Sequence, residues 1–370
     1  MNKSTNDRKP RYVKIIEILK RQIVEQETWS QGMKIPAERE LAETLGASRN
    51  TIRRAISVLI DEGYIFNEVG RGTFVNSKKF WGKKNRIHKS KLVGIIITDV
   101  KFTFGKQIIR GLEDHLNKNG YSLILCQDHS NIEKTHRYIK TLVEHGIKGV
   151  ILDPVLTEDY AADNIEIVKR FEKEKLPVVL IDREIHGIQK NIVLTNNEEI
   201  SFQAVNYLLK KNHKKIIVVR DNALVFQKRF NGVMRAFEKN NVPFSNCRDV
   251  VLKSHDDIRR DTARLVSVLK NSRGCTALFS LNEYFGKVSL RAFSKLKKKV
   301  PEDISFLTFD HPEDSSFEEG EITYIEQPLT KMGNKAGKLI VNLIEFGTSS
   351  VNRVIIKSKL IIGRSVRQID

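Results

Sequence analysis

The chain has 370 residues, 40% of them hydrophobic and 29% charged, and a formal net charge of +19 at pH 7. This composition is typical of globular proteins rather than of disordered chains, and the length predicts two or three domains. The basic excess favours a polyanionic partner, for which nucleic acid is the commonest class and a membrane surface the second.

A membrane partner is disfavoured by the apolar pattern. The first residues contain no apolar segment of a signal peptide, and no apolar run approaches the roughly 20 residues of a spanning helix. The three cysteines, Cys126, Cys247 and Cys275, are far apart and lack metal-ligand or redox spacing. We therefore expect a cytoplasmic protein with no membrane partner, no metal and no cofactor.

Residues 37–60 have the pattern of two short helices joined at Gly46. Leu41, Ala42 and Leu45 form the apolar stripe of the first helix. Ser48 is a favourable N-cap for the second helix, whose apolar positions fall on a single face. These positions are Ile52, Ala55, Ile56, Leu59 and Ile60.

The opposite face of the second helix carries Arg49, Asn50, Thr51 and Arg53. Arginine can bind guanine bidentately, and asparagine can bind adenine in the same way. A helix that begins with such residues after a tight turn is typical of the recognition helix of a helix-turn-helix domain. The alternative is a basic, solvent-exposed face on an ordinary core helix.

Residues 64–75 predict a β-hairpin directly after this helix. Two short β stretches flank Gly70, Arg71 and Gly72, which form a tight tip with one arginine. An arginine at such a tip can enter the minor groove beside a recognition helix. Together, the helices and the hairpin predict a winged helix-turn-helix.

Beyond the hairpin, residues 77–91 contain seven basic residues and no acidic ones, which predicts a basic linker. From Leu92 onward, short apolar strands alternate with helices of about 12 to 18 residues. This alternation predicts an α/β fold with parallel sheets flanked by helices, and the length favours two lobes. We therefore predict three regions: a DNA-binding domain (1–76), a linker (77–91) and a two-lobed effector-binding and dimerisation domain (92–370).

Polar residues follow several of these predicted strands. Ligands in open α/β sheets bind beyond the carboxyl ends of the strands, and carboxylates with nearby aromatic rings suit a polyhydroxylated ligand. The candidates from this argument are Asp99, Phe102, Phe104, Asp182, Arg183, Asn282, Glu283 and Asp310. No recognised catalytic motif is present, so we expect a binding protein and not an enzyme.

The N-terminal region resembles the winged-helix domain of the GntR family of bacterial regulators. The residues that carry this resemblance are Tyr12, Ile23, 32–42, 46–55, Gly63 and 70–75. The resemblance implies DNA contacts by Arg39, Ser48, Arg49, Thr51, Arg53, Gly70, Arg71, Gly72 and Thr73. Asn50 stands where the family often has threonine, which would change the base preference.

The remainder resembles the effector domain of LacI-type repressors, a two-lobed fold related to periplasmic sugar-binding proteins. The matching segments are 93–100, Phe104, 110–113, 120–126, 149–152, 177–183, 227–232, 277–282, 300–305, 309–310, 327–328 and 332–333. The resemblance implies ligand contacts by Phe104, Asp182, Arg229, Asn282, Asp310 and Gln327. The sequence departs from the family pattern at 101–103, at Ser280-Leu281 and at His311.

The combination is similar to GntR/LacI hybrids of the arabinose-repressor type. It implies a homodimeric repressor that binds a near-palindromic, double-stranded operator and is released by a small sugar such as a pentose. The alternative is a non-regulatory carbohydrate-binding protein, or a carbohydrate enzyme, with a basic appendage.

Overall fold

The computed structural model describes residues 10–68, 71–82, 91–252, 257–312, 317, 320–347 and 350–370. The chain divides into two compact units, Met1–Ser90 and Lys91–Asp370. Within the described ranges, no helix is both long and apolar enough to cross a membrane.

The first unit consists of three helices and a two-stranded antiparallel hairpin. These elements are α1 (Arg11–Val24), α2 (Glu38–Thr44), α3 (Arg49–Asp61), β1 (Ile65–Glu68) and β2 (Gly72–Val75). In the hairpin, Ile65 lies opposite Val75, and both side chains are buried in the core between the helices. Lys34 adds a one-residue bridge to Phe74, so the segment before α2 covers the free edge of β2.

The turn between α2 and α3 has the predicted form. Gly46 adopts a φ of +57°, a left-handed conformation that glycine accepts readily. The Ser48 hydroxyl accepts a hydrogen bond of 3.2 Å from the backbone N–H of Thr51, which is N-cap geometry. Ile52, Ala55, Ile56 and Leu59 are the buried residues of α3.

Part of the predicted linker packs on the first unit. Residues Lys78–Phe80 form a 3-10 helix, and the Trp81 ring lies 6.0 Å from the Tyr64 ring. The indole N–H of Trp81 donates a hydrogen bond of 2.9 Å to the Asn76 carbonyl. Residues 77–82 of the predicted basic linker therefore pack on the first unit, and residues 83–90 lie outside the described residues. The bounds of the linker stay a prediction.

The second unit contains two six-stranded sheets, each flanked by helices. The first lobe has the strand order β13-β7-β6-β5-β3-β4, and its strands are β3 (Leu92–Ile97), β4 (Ser122–Gln127), β5 (Gly149–Leu152), β6 (Val178–Ile181), β7 (Asn191–Thr195) and β13 (Arg353–Ile356). The second lobe has the order β14-β12-β11-β10-β8-β9, and its strands are β8 (Ile216–Arg220), β9 (Cys247–Val251), β10 (Ala277–Ser280), β11 (Ser305–Phe309), β12 (Thr323–Glu326) and β14 (Lys359–Ile361).

Eight α-helices lie among these strands in the described part of the second unit. They are α4 (Thr103–Lys118), α5 (Ile132–Glu144), α6 (Tyr160–Lys173), α7 (Asn197–Lys210), α8 (Leu224–Lys239), α9 (Ile258–Lys270), α10 (Glu283–Lys295) and α11 (Leu329–Phe346). The strand pairs are parallel except for β12 with β14, which confirms the predicted α/β class with parallel sheets.

The chain passes between the lobes three times. It leaves the first lobe after β7, returns between β12 and α11, and passes back between β13 and β14. The last strand of the first sheet therefore comes from residues 353–356, far along the chain from its neighbour β7. The alternating pattern did not predict this exchange, because periodicity along the chain carries no information on which sheet a strand joins.

Helices α4 and α11 approach each other at two glycines. A Cβ added to Gly111 would overlap the Thr330 carbonyl oxygen, and one added to Gly333 would overlap the Ile108 carbonyl oxygen. Each glycine thus allows the backbone of one helix to contact the backbone of the other.

We predict that Gly111→Ala destabilises the second unit by about 1–3 kcal/mol. Alanine is intrinsically better than glycine in a helix by up to about 1 kcal/mol, but the overlap is with backbone, which cannot rotate away. Urea denaturation of the full chain measures the change. The control is Asn117→Ala on the exposed side of α4, and equal stability of both variants would contradict the packing argument.

Candidate functional site

The N-terminal end of α3 presents an exposed polar surface. Ser48, Arg49 and Asn50 are exposed, and Thr51 is half-buried. The buried face of α3 holds the helix against the core, so these side chains lie on its outer side. This is the placement that the sequence analysis predicted for base-contacting residues, and their contact with DNA stays a prediction.

Arg53 is held by a carboxylate of the preceding helix. Its Nη2 lies 2.9 Å from Glu38 Oε2, and its Nε lies 3.1 Å from the same oxygen. This interaction raises the pKa of the Arg53 guanidinium. Glu38 lies in the matched segment 32–42 but was not among the predicted site residues. Arg39 itself is exposed, and its Nε lies 3.2 Å from Glu43 Oε1.

The hairpin tip also carries an exposed arginine. Arg71 Nη1 lies 2.7 Å from Glu68 Oε2, and the side chain is 74% exposed. The Thr73 hydroxyl donates a hydrogen bond of 3.2 Å to Asn67 Oδ1. Gly72 has a φ of +121°, and its missing Cβ leaves room for the Lys34 side chain. Gly70, the remaining predicted DNA contact, lies outside the described residues.

A separate cavity of about 1150 Å³ lies in the second unit, between the lobes. Its walls come mainly from the segments that follow β3, β4, β5, β6, β8, β10, β11 and β12. The residues predicted to bind the effector all line it: Asp99, Phe102, Phe104, Asp182, Arg183, Arg229, Asn282, Glu283, Asp310 and Gln327. The structure therefore brings these residues together, while their role in binding stays a prediction.

In the first lobe, the cavity contains a buried ion pair. Arg183 Nη1 lies 2.8 Å from Asp153 Oδ1, and Arg183 Nε lies 3.6 Å from Asp182 Oδ2. The same Nη1 donates a hydrogen bond of 2.7 Å to the Pro154 carbonyl. Burial raises the pKa of Asp153 to about 7, and the Arg183 charge opposes this rise. The guanidinium is therefore surrounded by carboxylate and carbonyl oxygens.

In the second lobe, Arg229 lies at the centre of a hydrogen-bond network. Its Nε donates to Asn197 Oδ1 at 2.8 Å and its Nη2 to Gln327 Oε1 at 3.1 Å. Gln327 Nε2 in turn donates to Asp310 Oδ2 at 2.8 Å. The guanidinium also lies 3.8 Å from the centre of the Phe309 ring. This network fixes Arg229, Gln327 and Asp310 as one unit of the cavity wall.

The sequence analysis missed several lining residues. Asp153 follows β5 as Asp182 follows β6, so the rule that selected Asp182 would also have found Asp153. Tyr160 was also missed and lines the cavity, and so does Glu283, which the strand-end rule had found. Glu283 accepts a hydrogen bond of 2.9 Å from the Thr103 backbone N–H, which joins the two lobes across the cavity. Among the described residues, no three His, Cys, Asp or Glu side chains cluster as a metal site.

Comparison with known proteins decides the family. A family model described as periplasmic binding proteins and sugar binding domain of the LacI family matches residues 90–364. This chain belongs to that family. A second model, of bacterial regulatory proteins of the gntR family, matches residues 11–75. The chain therefore combines a GntR-type domain with a LacI-type domain.

Two curated relatives of this GntR/LacI chain match it over most of their length. The arabinose metabolism transcriptional repressor of Geobacillus stearothermophilus is 24% identical, with 91% of this chain and 92% of the relative covered. The HTH-type transcriptional regulator KdgR of Bacillus subtilis is 23% identical, with 89% of this chain and 97% of the relative covered.

Solved structures show the same fold for the LacI-type domain. A LacI family transcriptional regulator from Enterococcus faecium with bound ribose has a TM-score of 0.65 and 22% identity, covering 75% of this chain and all of that one. A LacI family regulator from Weissella paramesenteroides with bound glucose has a TM-score of 0.64 and 20% identity, covering 75% of this chain and 99% of that one.

We predict a pH effect on stability from Asp310. Burial raises its pKa from 3.8 to about 6, against the opposing effects of Arg229 and Gln327. Because the folded state then holds this proton more tightly than the unfolded chain, the group stabilises the fold less as the pH rises from about 4 to about 6. Thermal unfolding at several pH values, with wild type compared with Asp310→Asn, measures this.

Wild type should lose stability relative to Asp310→Asn across this pH interval, and the difference should stay constant above it. A stability difference that does not change between pH 4 and pH 6 would contradict the raised pKa.

Proposed function

We propose that this protein is a ligand-responsive transcriptional repressor. The GntR-type unit binds double-stranded operator DNA, and the LacI-type unit binds a small sugar, such as a pentose, that releases the repressor from the operator. The observation that carries the proposal is the presence, in one chain, of a helix with exposed polar and arginine side chains at its start and of a cavity between two lobes that carboxylate and guanidinium groups line.

The DNA-binding part is supported by the surface of α3. Arg49 and Asn50 are exposed in the first turn of the helix, and both residue types read base edges in the major groove. The hydrogen bond from Arg53 to Glu38 holds the guanidinium group in one orientation. The N–H groups of Arg53 that do not bind Glu38 are thereby oriented as well. Arg71 at the hairpin tip supplies a second cation for the minor groove or the phosphates.

The effector part is supported by the cavity. Arg229 and Asp310 combine donors and acceptors at adjacent positions, and Phe104 supplies an apolar ring for a sugar face. The two relatives named above are a regulator of arabinose metabolism and a KdgR regulator, and two proteins with the same fold were solved with bound ribose and bound glucose.

Effector binding and operator binding are coupled through the arrangement of the two lobes. The repressor acts as a homodimer on a near-palindrome, with half-sites separated by whole or nearly whole helical turns. The effector binds the closed arrangement of the lobes more tightly than the open one. The ratio of these two effector affinities sets the largest change in DNA affinity that the effector can cause. Such a repressor works in the cytoplasm, without a cofactor and without catalytic turnover.

Arg49→Ala should weaken operator binding by about 5- to 150-fold, since one bidentate base contact is worth about 1–3 kcal/mol. The operator is first selected from random DNA with the full chain, and mobility shift then measures affinity. Arg170→Ala, an exposed arginine on α6 in the other unit, is the control and should bind as wild type. The assignment of α3 is wrong if Arg49→Ala retains wild-type affinity.

Arg229→Ala should bind the operator normally and no longer respond to the sugar that releases wild type. Because Arg229 is buried, Asn282→Ala serves as a second variant that removes a half-buried side chain of the same cavity. Mobility shift with increasing sugar is the measurement. Loss of operator affinity in the absence of sugar, in a folded Asn282→Ala protein, would show that the cavity residues have been misassigned.

A further inference from the structure

The segment that precedes α2 is joined to the hairpin by backbone hydrogen bonds. The N–H of Val75 donates to the Met33 carbonyl at 2.9 Å. The N–H of Ile35 donates to the Thr73 carbonyl, also at 2.9 Å. Lys34 lies between these two bonds, so the position of its backbone relative to β2 is fixed.

The side chain of Lys34 lies on the face of the hairpin that points away from the core. Successive side chains of an extended segment alternate between faces, and Ile35 is buried in the core, so Lys34 faces outward. Its partner in β2 is Phe74. The Lys34 chain crosses Gly72, where an added Cβ would come within 3.1 Å of the ammonium nitrogen. The ammonium group therefore lies beside the backbone of the hairpin tip.

Within the described residues, three side chains supply the charge at the hairpin tip. Arg71 Nη1 lies 2.7 Å from Glu68 Oε2, so this guanidinium and this carboxylate balance each other. Lys34 is exposed, and it forms no ion pair in the described part of the chain. The tip therefore has one unbalanced positive charge, and it would be neutral without Lys34.

An unbalanced cation at this place suits a phosphate of the DNA backbone. The minor groove is about 6 Å wide, so a hairpin tip that enters it has a sugar-phosphate strand close to each of its faces. Arg71 belongs to the tip itself, whereas Lys34 lies on one face of the hairpin, next to such a strand. A lysine ammonium binds phosphate with up to three N–H donors and reads no base sequence.

We infer that Lys34 is a further DNA-contacting residue, which binds a backbone phosphate beside the minor groove. This inference rests on the proposed function, because it concerns the same DNA-binding unit. It adds a residue that neither the helix pattern nor the hairpin pattern predicted. Lys34 contributes to affinity for any duplex, whereas Arg49 and Asn50 contribute to the choice of sequence.

The salt dependence of operator affinity measures this contact. Each phosphate contact adds about 0.9 to the slope with which the logarithm of the binding constant falls against the logarithm of the salt concentration. Lys34→Met keeps an apolar chain over Gly72 and removes the charge. In the full chain this slope should fall by about 0.9 per protomer, or about 1.8 for a dimer. Between about 50 and 200 mM salt, the affinity advantage of wild type should shrink by about tenfold.

Lys20→Met is the matched control for the loss of one lysine from the same unit. The Lys20 ammonium lies 2.5 Å from Glu62 Oε2 and 4.8 Å from the centre of the Tyr64 ring, at the base of the hairpin and not at its tip. This variant should keep the wild-type slope. Lys34→Arg restores a cation at the tip and should recover the wild-type slope, which a purely structural role of the Lys34 chain would not produce.

Sequence preference separates Lys34 from the residues of α3. Lys34→Met should weaken binding to the operator and to an unselected duplex of the same length by the same factor, whereas Arg49→Ala should weaken operator binding more. Thermal unfolding checks the fold, and Lys34→Gln is a second uncharged variant in case Lys34→Met does not fold. The inference is overturned if a folded, uncharged variant keeps the wild-type slope or changes the preferred sequence.

Operator selection keeps the two levels of the proposal apart. If the full chain selects an operator, and Lys34→Met binds it with the wild-type salt slope, the proposed function stands and the inference about Lys34 fails. If the chain selects no DNA sequence, the proposed function fails and the inference fails with it.

Discussion

The cavity of the second unit depends on the burial of two guanidinium groups. A buried charge is tolerated only when acceptors surround it. Arg183 obtains these acceptors within the first lobe and Arg229 within the second, so each lobe holds one buried guanidinium group at the cavity. The requirement to satisfy these charges thus determines which side chains line the cavity and which of their atoms remain free for a ligand.

The chain segments that cross between the two lobes lie beside this cavity. Three chain segments connect the sheets, and Gln327, which binds both Arg229 and Asp310, lies in one of them. The hydrogen bond from Thr103 to Glu283 also crosses between the lobes. A ligand that binds Arg229 and Asp310 therefore acts on groups attached to a connecting segment, where a small change in geometry alters the lobe arrangement.

Much of this organisation could be predicted from the sequence. The face of α3 follows from its apolar periodicity, and the turn at Gly46 and the cap at Ser48 follow from local residue chemistry. The same rule about strand ends led to Asp182 and Asp310. The strands β13 and β14 were not predictable in this way, since they are short, exposed in part and assigned to sheets by tertiary pairing.

Other features depend on contacts that a linear pattern does not contain. The pairing of Arg53 with Glu38 joins positions 15 residues apart on two helices. Trp81 packs on Tyr64, a contact that the basic composition of residues 77–91 does not indicate. Asp153 was missed for a simpler reason, because the strand-end rule was not applied to β5. Its burial and its ion pair with Arg183 make it a central charge of the cavity.

We propose that one unit reads DNA while the other binds the sugar that controls it. Hydrogen–deuterium exchange of the full chain, free, with operator and with operator plus releasing sugar, tests this most directly. We predict that operator protects the start of α3 and the hairpin tip, and that sugar protects the loops after β3, β8 and β10 while removing the operator's protection. Operator protection confined to the second unit, or sugar protection outside the cavity loops, would contradict the account.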